Sequence, residues 1–136
     1  MKHTTLITIV EKLDGSFLKA MVSEVVAGTI SLSNCTEDGF EHIVLIQSAD
    51  VDESYKRKGV YTTLINKAIE NLKEGEKLLS MGRSNDATMF WSDRLNIDAS
   101  KLELGIEKDQ QEVGILTDKY GFELINIEDY QYLDFE

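Results

Sequence analysis

The chain contains no proline and only one cysteine, Cys35. A single thiol cannot close an internal disulfide, which fits a reducing, cytoplasmic setting. Cys35 lies in the turn-like SNCTEDG with no histidine or second cysteine beside it, so no metal site is expected. No apolar run reaches the eighteen or so residues that a membrane-spanning helix needs. The opening MKHTTLITIVEKLDG lacks the long apolar block and small-residue cleavage site of a secretory signal. There is no internal repeat and no low-complexity linker, and 136 residues suffice for one core but not two. A single domain over residues 1–136 is therefore expected.

Basic residues are scarce as well, 14 against 25 acidic, for a net charge of −11. Phosphate contacts need a basic surface, so nucleic acid is not an expected partner. A cationic one is: an amine, a polyamine or a lysine-bearing protein. From Lys101 to Glu136 there are ten acidic and three basic residues, most of them read as solvated surface.

Hydrophobic periodicity supplies the elements. Thr4 to Glu11 is short, β-branched and apolar, a strand, and Asp14-Gly15 then supplies a tight turn. In SFLKAMV, Ser16 to Val22, the residues Phe17, Leu18, Met21 and Val22 also fit helical spacing. Strand is preferred because Ser23-Glu24 turns directly into the β-rich Val25 to Ser33. Phe40 to Val51 is the most apolar strand, and its unbroken IVLI predicts burial on both faces and a central place. After Gly59, Val60, Tyr61, Leu64, Ile65, Ala68, Ile69 and Leu72 fall on one helical face, with Gly75 standing as a C-terminal cap. KLLSM, Lys77 to Met81, reads as a short buried strand, which makes Phe40 to Met81 a βαβ unit with a parallel strand pair. Ser84 or Asn85 caps a second helix with Ala87, Phe90, Trp91 and Leu95 on its inner stripe. Between Asp98 and Gly114 the pattern stays open: KLELGI alternates like a strand, and EKDQQEV could open a third helix. FELINI and YQYLDF, separated by Glu128-Asp129, read as a closing hairpin.

Against this acidic background, VDESYKRKGVYTTLINKA gathers three consecutive cations where the central strand hands over to a helix. A helix N-terminus has amides without intrahelical acceptors and carries partial positive charge. Gly59 removes the side chain that would block an approaching phosphate, so the amides of Lys58 to Thr63 can point at one. Lys56, Arg57 and Lys58 add charge around that mouth. Neither GxxxxGK[ST] nor GxGxxG is present, so this is not a Walker loop or a dinucleotide fingerprint.

The stretch resembles the acyl-coenzyme A loop of the Gcn5-related N-acetyltransferases, whose pattern is V-x-P-x-Y-R-x-x-G-x-G/A followed by a helix. Val51, Tyr55, a basic Lys56 and Gly59 match in place, and Leu64-Ile65 stand in the helix; Glu53 replaces the proline and Tyr61 the second small residue. MVSEVVAGTISLS is similar to the family's strand, turn and strand with Gly28 at its glycine. SNDATMFW is similar to its N-x-x-A-x-x-F-Y helix, and KYGFELI to its k-x-GF-e entry into the final hairpin. The resemblance implies an α/β (α+β) fold: a mixed, mainly antiparallel sheet with a central splayed parallel strand pair and helices packed on it. It implies transfer of an acetyl group from acetyl-coenzyme A, as co-substrate, to an amine by direct attack in a ternary complex. The cofactor's neighbours would be Val51, Asp52, Lys56, Arg57, Lys58, Gly59, Val60, Tyr61, Thr62 and Asn85. Its pantetheine arm would pair with backbone near Asp50 to Asp52, in the splay between the central strand and KLLSM.

The chain departs from the family in its catalytic groups. Six residues before Val51, where many members carry a glutamate base, stands Leu45. Gln47 and Asp50 are the nearby polar alternatives, and Asp50 is the one that accepts a full proton. The family's tyrosine position is Trp91, or Thr117 if KYGF ends the equivalent helix; Tyr120 and Tyr61 are the nearest hydroxyls. The catalytic candidates are therefore Asp50 and Tyr120. The family's two helices between its first strands are replaced by Asp14-Gly15. That leaves an open acceptor side, for a macromolecular acceptor, a second subunit of a homodimer, or the acidic segment Asp98 to Thr117 to wall. Two alternatives stand beside the enzyme: an acyl-coenzyme A binder without turnover, and an acidic interaction or inhibitor protein.

Overall fold

The computed structural model describes residues 6–12, 15–36, 39–81, 84–102 and 113–126. Seven strands form one sheet in sequence order: β1 (Ile7–Glu11), β2 (Phe17–Val22), β3 (Val25–Asn34), β4 (Ile43–Val51), β5 (Lys77–Ser80), β6 (Val113–Thr117) and β7 (Phe122–Asn126). All neighbours are antiparallel except β4 and β5. Helix α1 (Val60–Glu70) makes the crossover between that parallel pair, α2 (Asn85–Leu95) follows β5, and a single turn, α3 (Ala99–Leu102), follows α2. The mixed sheet and its helices are the architecture expected from the sequence.

Alternation along the strands builds two cores. On one face, Leu18, Ala20, Ile30, Leu32 and Leu78 meet Val60, Leu64, Ile65 and Ala68 of α1, with Trp91 of α2 in the same cluster. On the other face, Cys35, Ile43, Leu45, Leu79, Met81 and Leu116 form a smaller cluster. The IVLI run of β4 serves both, with Ile43 and Leu45 on one side and Val44 and Ile46 on the other. Beyond it, Ser48, Ala49 and Asp50 are exposed. At Gly28 the backbone of β3 lies so close to its neighbours that a Cβ would stand 2.8 Å from Val60 Cγ1 and 2.9 Å from the Asp50 carbonyl oxygen. That close approach sets how α1 sits on β3 and β4.

Two irregularities position the site. Strand β4 pairs with β5 only through Ile43, Leu45 and the residue between them, then runs on to Val51 with β3 as its partner. Its pairing with β3 also slips: Ser31 faces Ser48 but Leu32 faces Ile46, so Gln47 is an extra residue, a β-bulge. A bulge bends its strand and increases local twist, which here falls where β4 loses β5.

Several elements differ from expectation. The central strand begins at Ile43 rather than Phe40, and α1 is capped at Asn71, with Gly75 (φ 82°) turning the chain toward β5 instead. Lys101 and Leu102, in a stretch whose pattern is open and alternates like a strand, belong to α3, because Asp98 accepts from Ser100 N at 3.0 Å and starts a helical turn. VGILT, Val113–Thr117, is a strand, and it forms the hairpin with Phe122–Asn126. Residues 103–112 and the YQYLDF half of the expected closing hairpin lie outside the described residues, as does Asp14 of the first turn.

Candidate functional site

Where β4 and β5 part, they open a cleft of about 1270 Å³. Of its lining residues, Ile46, Ser80 and Met81 are buried, whereas Lys56 and Arg57 of the loop before α1 and Asp86 of α2 are exposed and form its mouth. Pairing of β4 with β5 ends at Leu45 opposite Leu79, so beyond Ile46 the β4 edge offers N–H and C=O groups that no β5 residue pairs with.

The loop is shaped by backbone chemistry. Asp52 accepts from Ser54 N at 3.0 Å and starts a 3-10 turn, Glu53–Tyr55, while its own N–H donates to the Ala27 carbonyl at 2.8 Å. Arg57 and Gly59 both have positive φ, 65° and 83°, so the chain curls tightly into α1. The first intrahelical bond runs from Thr63 N to Gly59 O at 3.0 Å, and the Thr63 hydroxyl donates to the same oxygen at 2.7 Å. Gly59 has no side chain to cap the first turn, and a Cβ placed there would meet nothing within 4 Å. An uncapped N-terminus with open space before it is suited to an anion.

The cation triplet separates into three settings. Lys56 Nζ lies 3.1 Å from Glu53 and 3.5 Å from Asp86 of α2. Hydrogen bonding to Glu53, followed by that carboxylate's charge and the bond to Asp86, raises its pKa above the ordinary lysine value. Arg57 lines the cleft. Lys58 stands over the Tyr55 ring, 5.6 Å from its centroid, and is not part of the lining.

Of the other expected cofactor neighbours, Val51, Gly59, Val60, Tyr61 and Thr62 line the cleft, whereas Asp52, Lys58 and Asn85 do not. Asn85 opens α2, but the cap is Ser84, whose Oγ accepts from Ala87 N at 3.2 Å. Tyr61 packs edge-on against Phe90 of α2, with ring centroids 4.6 Å apart, so this bulky replacement for a small residue joins the two helical walls. Asp50 is exposed, faces Thr29 on β3, and lines the cleft. Tyr120 is not brought to it. Ser80, at the cleft, pairs with Ile115, while Leu78 pairs with Thr117, so the β6–β7 turn carrying Tyr120 lies beyond the opposite end of β5. Tyr120 is 95% exposed there. Trp91 is fully buried in the main core, and its indole N–H has no partner among the described residues. The bulge at Gln47 and the placing of Asp86 opposite Lys56 were not legible in the sequence. An acidic residue in the first turn of α2 was the one available sign of the latter.

The model of the family described as "Acetyltransferase (GNAT) family" matches residues 3–90. Among solved structures, a GNAT-family acetyltransferase from Streptococcus pneumoniae TIGR4 is similar: 26% identity, 57% of each chain covered, TM-score 0.47. No curated protein matches the chain. Among the described residues no helix is long and apolar enough to cross a membrane. The family match covers well over half the chain and includes the sheet through β5, the glycine loop, α1 and the start of α2; the chain belongs to the GNAT acetyltransferase family.

Proposed function

We propose that this chain transfers an acetyl group from acetyl-coenzyme A to an amine, with the cleft between β4 and β5 as the cofactor site. The observation that carries the reading is the unpaired β4 edge leading directly to an uncapped helix N-terminus. The residues suit such a ligand. Backbone at the start of α1 and the Arg57 guanidinium meet the diphosphate, and the β4 edge offers hydrogen-bonding groups to the amide-bearing arm. Acetyl-coenzyme A supplies an acyl group already activated as a thioester. The protein's share is then mostly holding two reactants in register. Asp50 takes the proton that the attacking amine must lose, since it is the carboxylate on β4 that lines the cleft. The acceptor is a cationic amine, either small or a lysine of a protein, in keeping with the net charge of −11.

A second reading is a cofactor binder without turnover, and specific positions favour it. Leu45 is 1% exposed in the smaller core, Trp91 is buried, and Tyr120 lies beyond the far end of β5. Calorimetric titration with acetyl-coenzyme A, followed by thiol release on a panel of amines and lysine peptides, separates the two. Binding with thiol release supports the transferase, and binding without release on any acceptor supports the second reading. Gly59→Glu should abolish binding, because it puts a carboxylate where the phosphate would sit. Absence of binding by the unaltered chain would end both readings.

A further inference from the structure

An ion pair spans the mouth of the cleft, and the chemistry of acyl transfer does not call for it. Lys56 rises from the loop before α1 and reaches two carboxylates on different elements: Glu53 at 3.1 Å in its own loop, and Asp86 at 3.5 Å on α2. Only the second crosses from one wall to the other. Asp86 sits in the first turn of α2, where the helix dipole favours an anion, and the turn is held by the Ser84 cap. The Asp86 side chain is 76% exposed and that of Lys56 41%, so the contact is made in water and is weak enough to be exchanged.

We propose that Asp86 sets the affinity of the cleft for its anionic ligand by holding Lys56 across the mouth, so that a bound diphosphate must take Lys56 over from it. This rests on the proposed cofactor site and adds a residue that neither the glycine loop nor the family pattern specifies. Two effects act together. The carboxylate and the phosphate compete for one ammonium group, and a released Asp86 is left as a like charge beside the ligand. Arg57 lines the same mouth without a carboxylate partner among the described ion pairs, so it offers the first contact while Lys56 is still engaged.

Asp93 supplies the comparison. It lies on α2, lines the same cleft, and forms no ion pair with Lys56 among the described residues. Removing its charge reports the general benefit of one fewer anion near the site. Removing the charge of Asp86 reports that benefit together with the loss of the contact that draws Lys56 across the cleft, while the contact of Lys56 with Glu53 stays in both variants. The excess expected from an exposed pair is roughly two- to fivefold in Kd.

The test is calorimetric titration of acetyl-coenzyme A into the unaltered chain, Asp86→Asn, Asp93→Asn, Lys56→Met and the double variant Lys56→Met/Asp86→Asn. Circular dichroism of each variant confirms folding. Asp86→Asn should bind two- to fivefold more tightly than Asp93→Asn, and in the Lys56→Met background the gain from Asp86→Asn should fall to that of Asp93→Asn. Equal gains from the two asparagine variants, or an Asp86→Asn gain that persists without Lys56, would overturn the inference while leaving the cofactor site standing. No binding by any of the five proteins would overturn the cofactor site, and this inference with it.

Discussion

Gly28→Ala should disturb fold and site together, and the structure sets the scale. Gly28 on β3 pairs with Ala20 on one side and Val51 on the other. An added Cβ would lie 2.8 Å from Val60 Cγ1, 2.9 Å from the Asp50 carbonyl oxygen and 3.4 Å from Leu64 Cδ1. The first two are shorter than side-chain carbons tolerate, and the second involves backbone, which has no rotamer to escape into. Either α1 must lift from β3 or the end of β4 must move. Forcing one methyl into a packed core typically costs about 1–3 kcal/mol. For a chain of this size that lowers Tm by roughly 3–10 °C. Gly59→Ala is the control. Its Cβ would meet nothing within 4 Å, but φ is 83°, so the cost is conformational, about 1 kcal/mol. Thermal and urea unfolding of the two variants give the comparison, and calorimetry with acetyl-coenzyme A reports the site. Gly28→Ala should lose affinity as well as stability, because Asp50 and Val60 both border the cleft. A Gly28→Ala protein as stable as the parent, or no less stable than Gly59→Ala, would refute the close-packing account.

Arg57→Glu should weaken acetyl-coenzyme A binding about tenfold or more, since a charge-assisted contact is reversed, whereas Lys58→Glu, outside the cleft lining, should change it far less. Calorimetry would count against this division if the two were equal. Trp91→Phe should cost less than about 1.5 kcal/mol in urea unfolding, because the lost volume is offset by removing a buried donor without a partner; Trp91→Ala should cost about 3–5 kcal/mol. Asp118 accepts from Tyr120 N at 2.7 Å and Gly121 N at 2.9 Å, and these bonds, the Tyr120 one foremost, hold its pKa below the ordinary aspartate value. A depressed folded pKa gives stability that is present above the ordinary value and lost as pH falls through the folded one. Asp118→Ala should therefore be less stable than the parent at neutral pH, with the two urea midpoints converging in strong acid.

The sheet through β5 was legible because its central elements carry redundant local signals, while SFLKAMV, which also fits helical spacing, was settled by its turn into β3. In β4 the IVLI run, flanked by turn residues, marks a strand buried on both faces, and Ile43 to Ile46 fill both cores as that run requires. In α1 the apolar spacing and the preceding glycine agree with one another, and Val60, Leu64, Ile65, Ala68 and Ile69 are buried together. The final third lacked that redundancy. VGILT is five residues, too short for its periodicity to separate strand from helix, and the turn that pairs it with β7 depends on Asp118 folding back onto two amides. The Lys101-Leu102 dipeptide belongs to an alternating pattern, yet the Asp98 side chain starts a helical turn ahead of it. At Lys101-Leu102 a local side-chain bond outweighed the hydrophobic pattern, and at VGILT the pattern was too short to decide. Tyr120 illustrates the same limit at the level of the site. Its chemistry made it a candidate, but which end of β5 it reaches is fixed by pairing register, and no property of the residue itself reports that.

Register also explains why the chemistry of β4 changes along its length. The position that the family resemblance assigns to a base is Leu45, the last residue of β4 to face β5. With that neighbour in place, Leu45 packs among Cys35, Leu79 and Leu116, and a carboxylate there would be stripped of water with no cation to meet it. One residue later the pairing with β5 has ended, Gln47 is inserted as a bulge, and the sequence turns from IVLI to QSAD. Where β5 is present the strand is core; past the bulge Ser48, Ala49 and Asp50 are exposed, and the backbone edge opens onto the cleft. The same early end of pairing therefore accounts for both halves of the proposed site. It leaves main-chain groups for a ligand to occupy, and it moves the first proton-accepting carboxylate on the strand past the bulge, to Asp50.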